Sequence, residues 1–118
     1  MNSKANDTGF RRLAGMVDLL PEEGSQWVRA EGIVRDFMRR FGCGEIRCPV
    51  MEPTELFERG TGESTDIVQK EMYTFTDRGD RSVTLRPEGT PSVVRAYLEE
   101  SLGTTRPAWK FFYIGPMF

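Results

Sequence analysis

Between Thr84 and Thr90 the chain reads TLRPEGT, a cation, a carboxylate and a hydroxyl gathered around one proline at the close of an alternating, strand-like run. Pro87 fixes its own backbone angle and restrains Arg86 to an extended shape. Gly89 removes side-chain bulk where a ligand could approach the backbone. Thr90 offers a hydroxyl at the mouth of a helix, with the Glu88 carboxylate beside it. A carboxylate held in such a corner complements an ammonium group through short, charge-assisted hydrogen bonds. A plainer reading competes: Glu88 favours a positive helix end, and Arg86 makes a surface ion pair that contributes little. On physical grounds alone the plainer arrangement is the commoner.

Other residues narrow the chemistry. The sequence has no His, so a His general base and a His-ligated metal are impossible within it. Cys43 and Cys48 are the only thiols. A strand between them would separate their side chains, so both read as reduced, partly buried residues of a cytosolic protein. Glu52 and Glu63 could act on a ligand, yet isolated acids are ordinarily solvated. Phe112 and Tyr113 could stack on a flat ligand, but a dense aromatic strand favours packing. No acids have hydrolase spacing, and there is no Ser/His constellation. RGTGEST (59–65) lacks the Lys-Ser/Thr ending of a phosphate-binding loop, and Arg78-Gly79-Asp80 reads as turn chemistry.

The formal net charge of −2 over 118 residues advertises no bulk nucleic-acid field, and a DNA partner is not expected. Arg far outnumbers Lys, which suits forked contacts to carboxylates or phosphates but equally fits a GC-rich genome. No apolar run is long enough to span a membrane, and the polar N-terminus lacks a signal core.

Elements able to position the corner follow from periodicity. Residues 1–10 are expected to be flexible. Pro21 opens a helix with Glu22 and Glu23 in its first turn. Trp27, Ala30, Val34, Phe37, Met38 and Phe41 form an apolar stripe, which reads as core before partner surface, and Gly42 stops the helix. Ile46, Cys48 and Val50 alternate as a half-buried strand that Pro49 confines to an edge or an end. Thr54 could cap a short helix with Leu56 and Phe57, and residues 66–71 could add another helical turn. Tyr73–Thr76 and Ser82–Leu85 make a hairpin around Arg78–Arg81. Thr90 then acts as cap and Pro91 as first residue of a helix that Gly103 ends. Trp109–Ile114, apolar on both faces, reads as a central strand. The class is α+β, a mainly antiparallel sheet flanked by helices. A central strand this close to Phe118 implies that one flank of the sheet comes from residues outside this sequence.

GMVDLLPEE, GCGEIRCPVMEPTELFERGTGESTDIVQKEMYTFTDR, VTLRPEGTPSVVRAYLE and WKFFYIGPMF, in order from Arg11 to Phe118, resemble the start of histidyl-tRNA synthetase. That resemblance implies the N-terminal part of a class II catalytic domain over residues 11–118. The long helix and the strand to Pro49 are similar to motif 1, the family's homodimer interface, and WKFFYIGPMF to the first strand of motif 2. It implies that Glu88 and Thr90 hold the amino group of substrate histidine, which reverses the balance struck above. It implies ATP as co-substrate, Mg2+ with the nucleotide, tRNA(His) as acceptor and a cytoplasmic setting. No catalytic residue is expected within the chain, because the family's motif 2 Arg would follow Phe118, so the chain alone is expected to be inactive. Two alternatives stay open: the synthetase-like regulatory subunit of ATP phosphoribosyltransferase, and a stand-alone binding or dimerisation module.

Overall fold

A computed structural model describes residues 9–60 and 71–118. Glu63, most of the Gly-rich stretch and all but the last residue of the 66–71 segment lie outside the described residues. Helix α1 (Pro21–Arg40) starts with proline in its first turn and ends as expected, with Gly42 at φ +72°, a left-handed conformation that suits glycine. The acidic first turn and basic last turn complement the helix dipole.

The apolar stripe of α1 is present, but its reading as core is corrected. The helix has no buried residue, and Trp27, Val34, Phe37 and Phe41 are all about half exposed. The radius of gyration, 18.9 Å, exceeds the roughly 13–14 Å of a compact domain of this length, in keeping with a helix whose apolar face is left exposed among the described residues.

The expected strand over residues 46–50 is also corrected. Two short strands flank an irregular stretch, β1 (Gly44–Glu45) before it and β2 (Met51–Pro53) after it. Pro49 has no N–H to give a ladder, and the carbonyls of Cys48 and Val50 both accept from Arg86 instead. Helix α2 (Thr54–Gly60) follows directly.

The hairpin is as read: β3 (Thr74–Thr76) and β4 (Ser82–Leu85) pair antiparallel, and β4 also pairs antiparallel with β2, giving the order β2-β4-β3. Burial follows hydroxyls rather than hydrocarbon. Thr84 is fully buried and bonds Thr54 at 2.9 Å and Thr74 at 2.8 Å, and Thr54 reaches Ser82 at 2.7 Å. This chain of hydroxyls satisfies the side-chain oxygens of buried Thr54 and Thr84. Phe57 of α2 is buried at 1% exposure, whereas Met51 and Phe75 remain open to solvent.

At the hairpin turn, Asp77 accepts from the backbone N–H groups of Gly79 and Arg81 and from the Arg81 guanidinium, while Asp80 takes φ +57°. The Arg81 side chain, then the backbone donors, hold the Asp77 carboxyl below the ordinary carboxylate range. Its contribution is therefore complete above the ordinary carboxylate pKa and disappears as pH falls through the depressed native value. The Gly79 and Arg81 amide resonances are expected to follow that acid transition, and Asp77→Asn to abolish it. A transition that survives Asp77→Asn would assign it to another group.

Helix α3 (Thr90–Glu99) ends before the expected Gly103 stop: Ser101 adopts φ +50°, and Leu102–Thr104 form a single 3-10 turn. Gly103 serves close approach instead, since a Cβ there would lie 2.6 Å from the Tyr97 hydroxyl. The last strand is shorter than expected. β5 (Phe111–Phe112) pairs with β1 in parallel as a separate two-stranded sheet, so among the described residues it has one strand neighbour rather than two. Phe112 is the second buried apolar side chain of a small core. Helices on short, mostly antiparallel strands bear out the α+β class. No helix of the described residues is long and apolar enough to cross a membrane.

Candidate functional site

The turn between β4 and α3 is clamped from behind by Arg86. Only 6% exposed, Arg86 donates from Nε to the Pro116 carbonyl at 3.0 Å and from Nη1 to the Cys48 carbonyl at 3.2 Å. Its backbone N–H reaches the Val50 carbonyl at 2.9 Å, and its own carbonyl accepts from Phe118 at 3.0 Å. One residue thus ties three chain segments together. The surface ion pair expected of Arg86 is replaced by this buried clasp. A Cβ at Gly115 would collide with Nη2, so the glycine makes room for the guanidinium.

In front of the clasp, Glu88 and Thr90 are exposed and line one cavity of about 370 Å³ with Leu56, Arg59, Pro91 and Val94. No hydrogen bond or ion pair to a described residue engages the Glu88 carboxylate, so it is available to a ligand. Arg59 puts a cation in the same cavity, paired at 3.3 Å with Glu55 on its own helix. The lining therefore offers both signs of charge above an apolar floor, a combination that suits a small zwitterion.

Thr90 is not the helix cap that its sequence position suggested. Gly89 takes the N-cap place, with no side-chain capping bond, and the Thr90 hydroxyl lies 3.2 Å from that of Tyr113. The expectation for Gly89 is corrected as well. The group that approaches it is the Tyr113 ring: a Cβ on Gly89 would stand 2.6 Å from Cζ and 2.9 Å from Cδ2. Tyr113 thus belongs to the corner, which sequence reasoning missed. It lies far along the chain from Gly89, and no local spacing announces their contact.

Glu52, expected to be solvated, is 6% exposed. Its Oε1 accepts from Arg95 Nε at 3.1 Å and Nη2 at 2.9 Å, and Arg95 also holds Glu99. The bond to Glu52 raises the Arg95 pKa above its ordinary value. This pair fastens α3 to β2 and leaves Glu52 no part in the cavity. Cys43 and Cys48 are free and half-buried, as read, and burial pushes the Cys48 thiol up, keeping it protonated. Among the described residues no group of three or more His, Cys, Asp or Glu could hold a metal ion.

A family profile described as histidyl-tRNA synthetase matches residues 15–118. A curated histidine–tRNA ligase from Synechococcus sp. (strain CC9902) is 60% identical over 111 residues, covering 94% of this chain and 26% of its own length. The crystal structure of an apo histidyl-tRNA synthetase from S. aureus superposes with a TM-score of 0.77 at 40% identity, over 92% of this chain and 25% of that one. A Bacillus halodurans structure described as an ATP phosphoribosyltransferase regulatory subunit/histidyl-tRNA synthetase gives 0.76, over 92% of this chain and 27% of that one. Its identity is only 21%, a likeness of fold alone. The chain spans about a quarter of the length of the curated relatives it matches. With nearly all of its residues inside the family profile, the chain belongs to the histidyl-tRNA synthetase family.

Proposed function

We propose that the chain forms one wall of the amino-acid pocket of a histidine–tRNA ligase, with Glu88 and Thr90 receiving the protonated amino group of histidine. The observation that carries this is the shared cavity: an unengaged carboxylate and a hydroxyl face it from a turn that Arg86 locks in place. Glu88 accepts charge-assisted hydrogen bonds from the ammonium, and Thr90 supplies a further oxygen acceptor. In the activity proposed for the whole ligase, a histidine carboxylate oxygen attacks the α-phosphorus of ATP and pyrophosphate leaves. A hydroxyl of the tRNA(His) terminal ribose then attacks the carbonyl of the resulting histidyl-adenylate, forming the ester and releasing AMP. Holding the amino group fixes the direction of that carboxylate, so the contribution of this wall is alignment.

The exposed stripe of α1 supports a second element of the proposal, a homodimer in which Trp27, Phe37 and Phe41 meet a partner copy. The setting proposed is cytoplasmic.

The test is histidine-dependent pyrophosphate exchange by the full-length ligase carrying this segment. Removing one charge-assisted bond costs about 1.5–3 kcal/mol, so Glu88→Gln is expected to lower kcat/KM for histidine by about ten- to a hundredfold. An unchanged rate would take Glu88 out of the pocket. The 118-residue chain alone is expected to exchange at the blank rate, and the full-length ligase to sediment as a dimer. Turnover by the chain would show that the wall suffices, and a monomer would remove α1 from the interface.

A further inference from the structure

We propose that Tyr113 is a positioning residue for the amino-group site: its phenolic oxygen accepts a hydrogen bond from the Thr90 hydroxyl when an ammonium is bound, so that the Thr90 oxygen faces the cation as an acceptor. The inference rests on the amino-group reading of Glu88 and Thr90.

A threonine hydroxyl is ambiguous, carrying one proton and two lone pairs. An ammonium group presents only N–H donors. If the Thr90 proton points into the cavity, donor meets donor and the contact is repulsive. The proton needs an acceptor elsewhere. Thr90 stands at the first position of α3, and among the described residues its hydroxyl makes no hydrogen bond to a backbone carbonyl of that helix. The neighbour within reach is the Tyr113 oxygen at 3.2 Å. In the empty site the phenol, being more acidic than an alcohol, is the better donor toward Thr90. Ammonium binding reverses the polarity of that bond by rotating two hydroxyls, and no proton changes atoms.

The backbone geometry holds the tyrosine to this task. The Tyr113 ring lies over Gly89 so closely that any β-carbon there would overlap it. The glycine beside Glu88 thus brings the ring to the threonine, and the glycine and the tyrosine work together although distant in sequence.

Tyr113→Phe keeps the ring on Gly89 and deletes only the oxygen. In the full-length ligase carrying this segment, it is expected to raise KM for histidine about five- to tenfold, the range of one lost hydrogen bond, with a smaller change in kcat. The discriminating probe is 3-(imidazol-4-yl)propionate, which is histidine without its amino group. Its inhibition constant is expected to stay within about twofold of wild type, because the lost bond serves the ammonium alone. Thr90→Ser should retain the effect of Tyr113. Once Thr90 is Val, Tyr113→Phe should add nothing. Equal weakening of histidine and the propionate would make Tyr113 a packing residue, and no weakening of either would leave it without a role; both overturn the proposal. Glu88→Gln separates this failure from that of the pocket. Should Glu88→Gln weaken histidine no more than the propionate, the amino group is not held here, and both readings fall. Should Glu88→Gln discriminate while Tyr113→Phe does not, the positioning role falls alone.

Discussion

Replacing Arg86 by alanine is expected to unfasten the corner and lower stability by about 3–5 kcal/mol, combining lost hydrogen bonds with the cavity left by a buried side chain. The guanidinium is almost wholly enclosed, and its fork spans carbonyls from two segments far apart in the chain. Arg86→Met separates the two contributions by keeping the aliphatic stem. It leaves the Cys48 carbonyl without its donor, while the Pro116 carbonyl, on an exposed residue, can turn to water. The expected loss for Met is accordingly smaller, about 1–3 kcal/mol. Lysine should fall between wild type and Met, because one point donor cannot serve two directions. Urea unfolding midpoints give the ordering. Hydrogen exchange locates the damage: the Phe118 amide, bonded to the Arg86 carbonyl, should lose protection in step with stability. Loss below about 1 kcal/mol for Arg86→Ala would mean that the clasp is a surface contact after all.

The turn between strand and helix in TLRPEGT was legible in the sequence because Pro87 fixes its own backbone angle and restrains Arg86 whatever lies around them. The same holds for the start of α1 at Pro21, its stop at Gly42 and the alternation of the hairpin. The parts that Gly89 and Thr90 play were not legible, because both depend on distant Tyr113. Illegible features depend on distant partners. Arg86 and Glu52 are strongly polar, so composition assigns them to water; they are buried because Cys48, Pro116 and Arg95 meet their charges. Nothing near Trp109–Ile114 reveals that the strand pairs in parallel with Gly44–Glu45, since parallel partners are joined by long crossovers. The α1 stripe shows why periodicity alone misleads. Spacing identifies an apolar face, but burial requires an opposing surface, and among the described residues α1 makes only a few contacts, chiefly to β1.

Glu52 and Arg95 lead to the second large effect, and it is one of asymmetry. Arg95→Met removes the guanidinium while preserving most of the volume, and leaves a carboxylate that is only 6% exposed without its counter-charge. Breaking a buried pair from one side costs about 3–5 kcal/mol, because desolvation of the remaining ion is no longer offset. Removing both charges costs much less, so the double variant Glu52→Gln with Arg95→Met is expected to recover at least half of the loss. Urea unfolding of the two single variants and the double gives the coupling directly. Glu99 also binds Arg95, but from a largely exposed position, so Glu99→Gln should change stability by under about 1 kcal/mol. Strict additivity across the Glu52–Arg95 cycle would show that the two residues act independently. A large coupling would make this pair the tie that keeps α3, and with it Thr90, in register with the sheet.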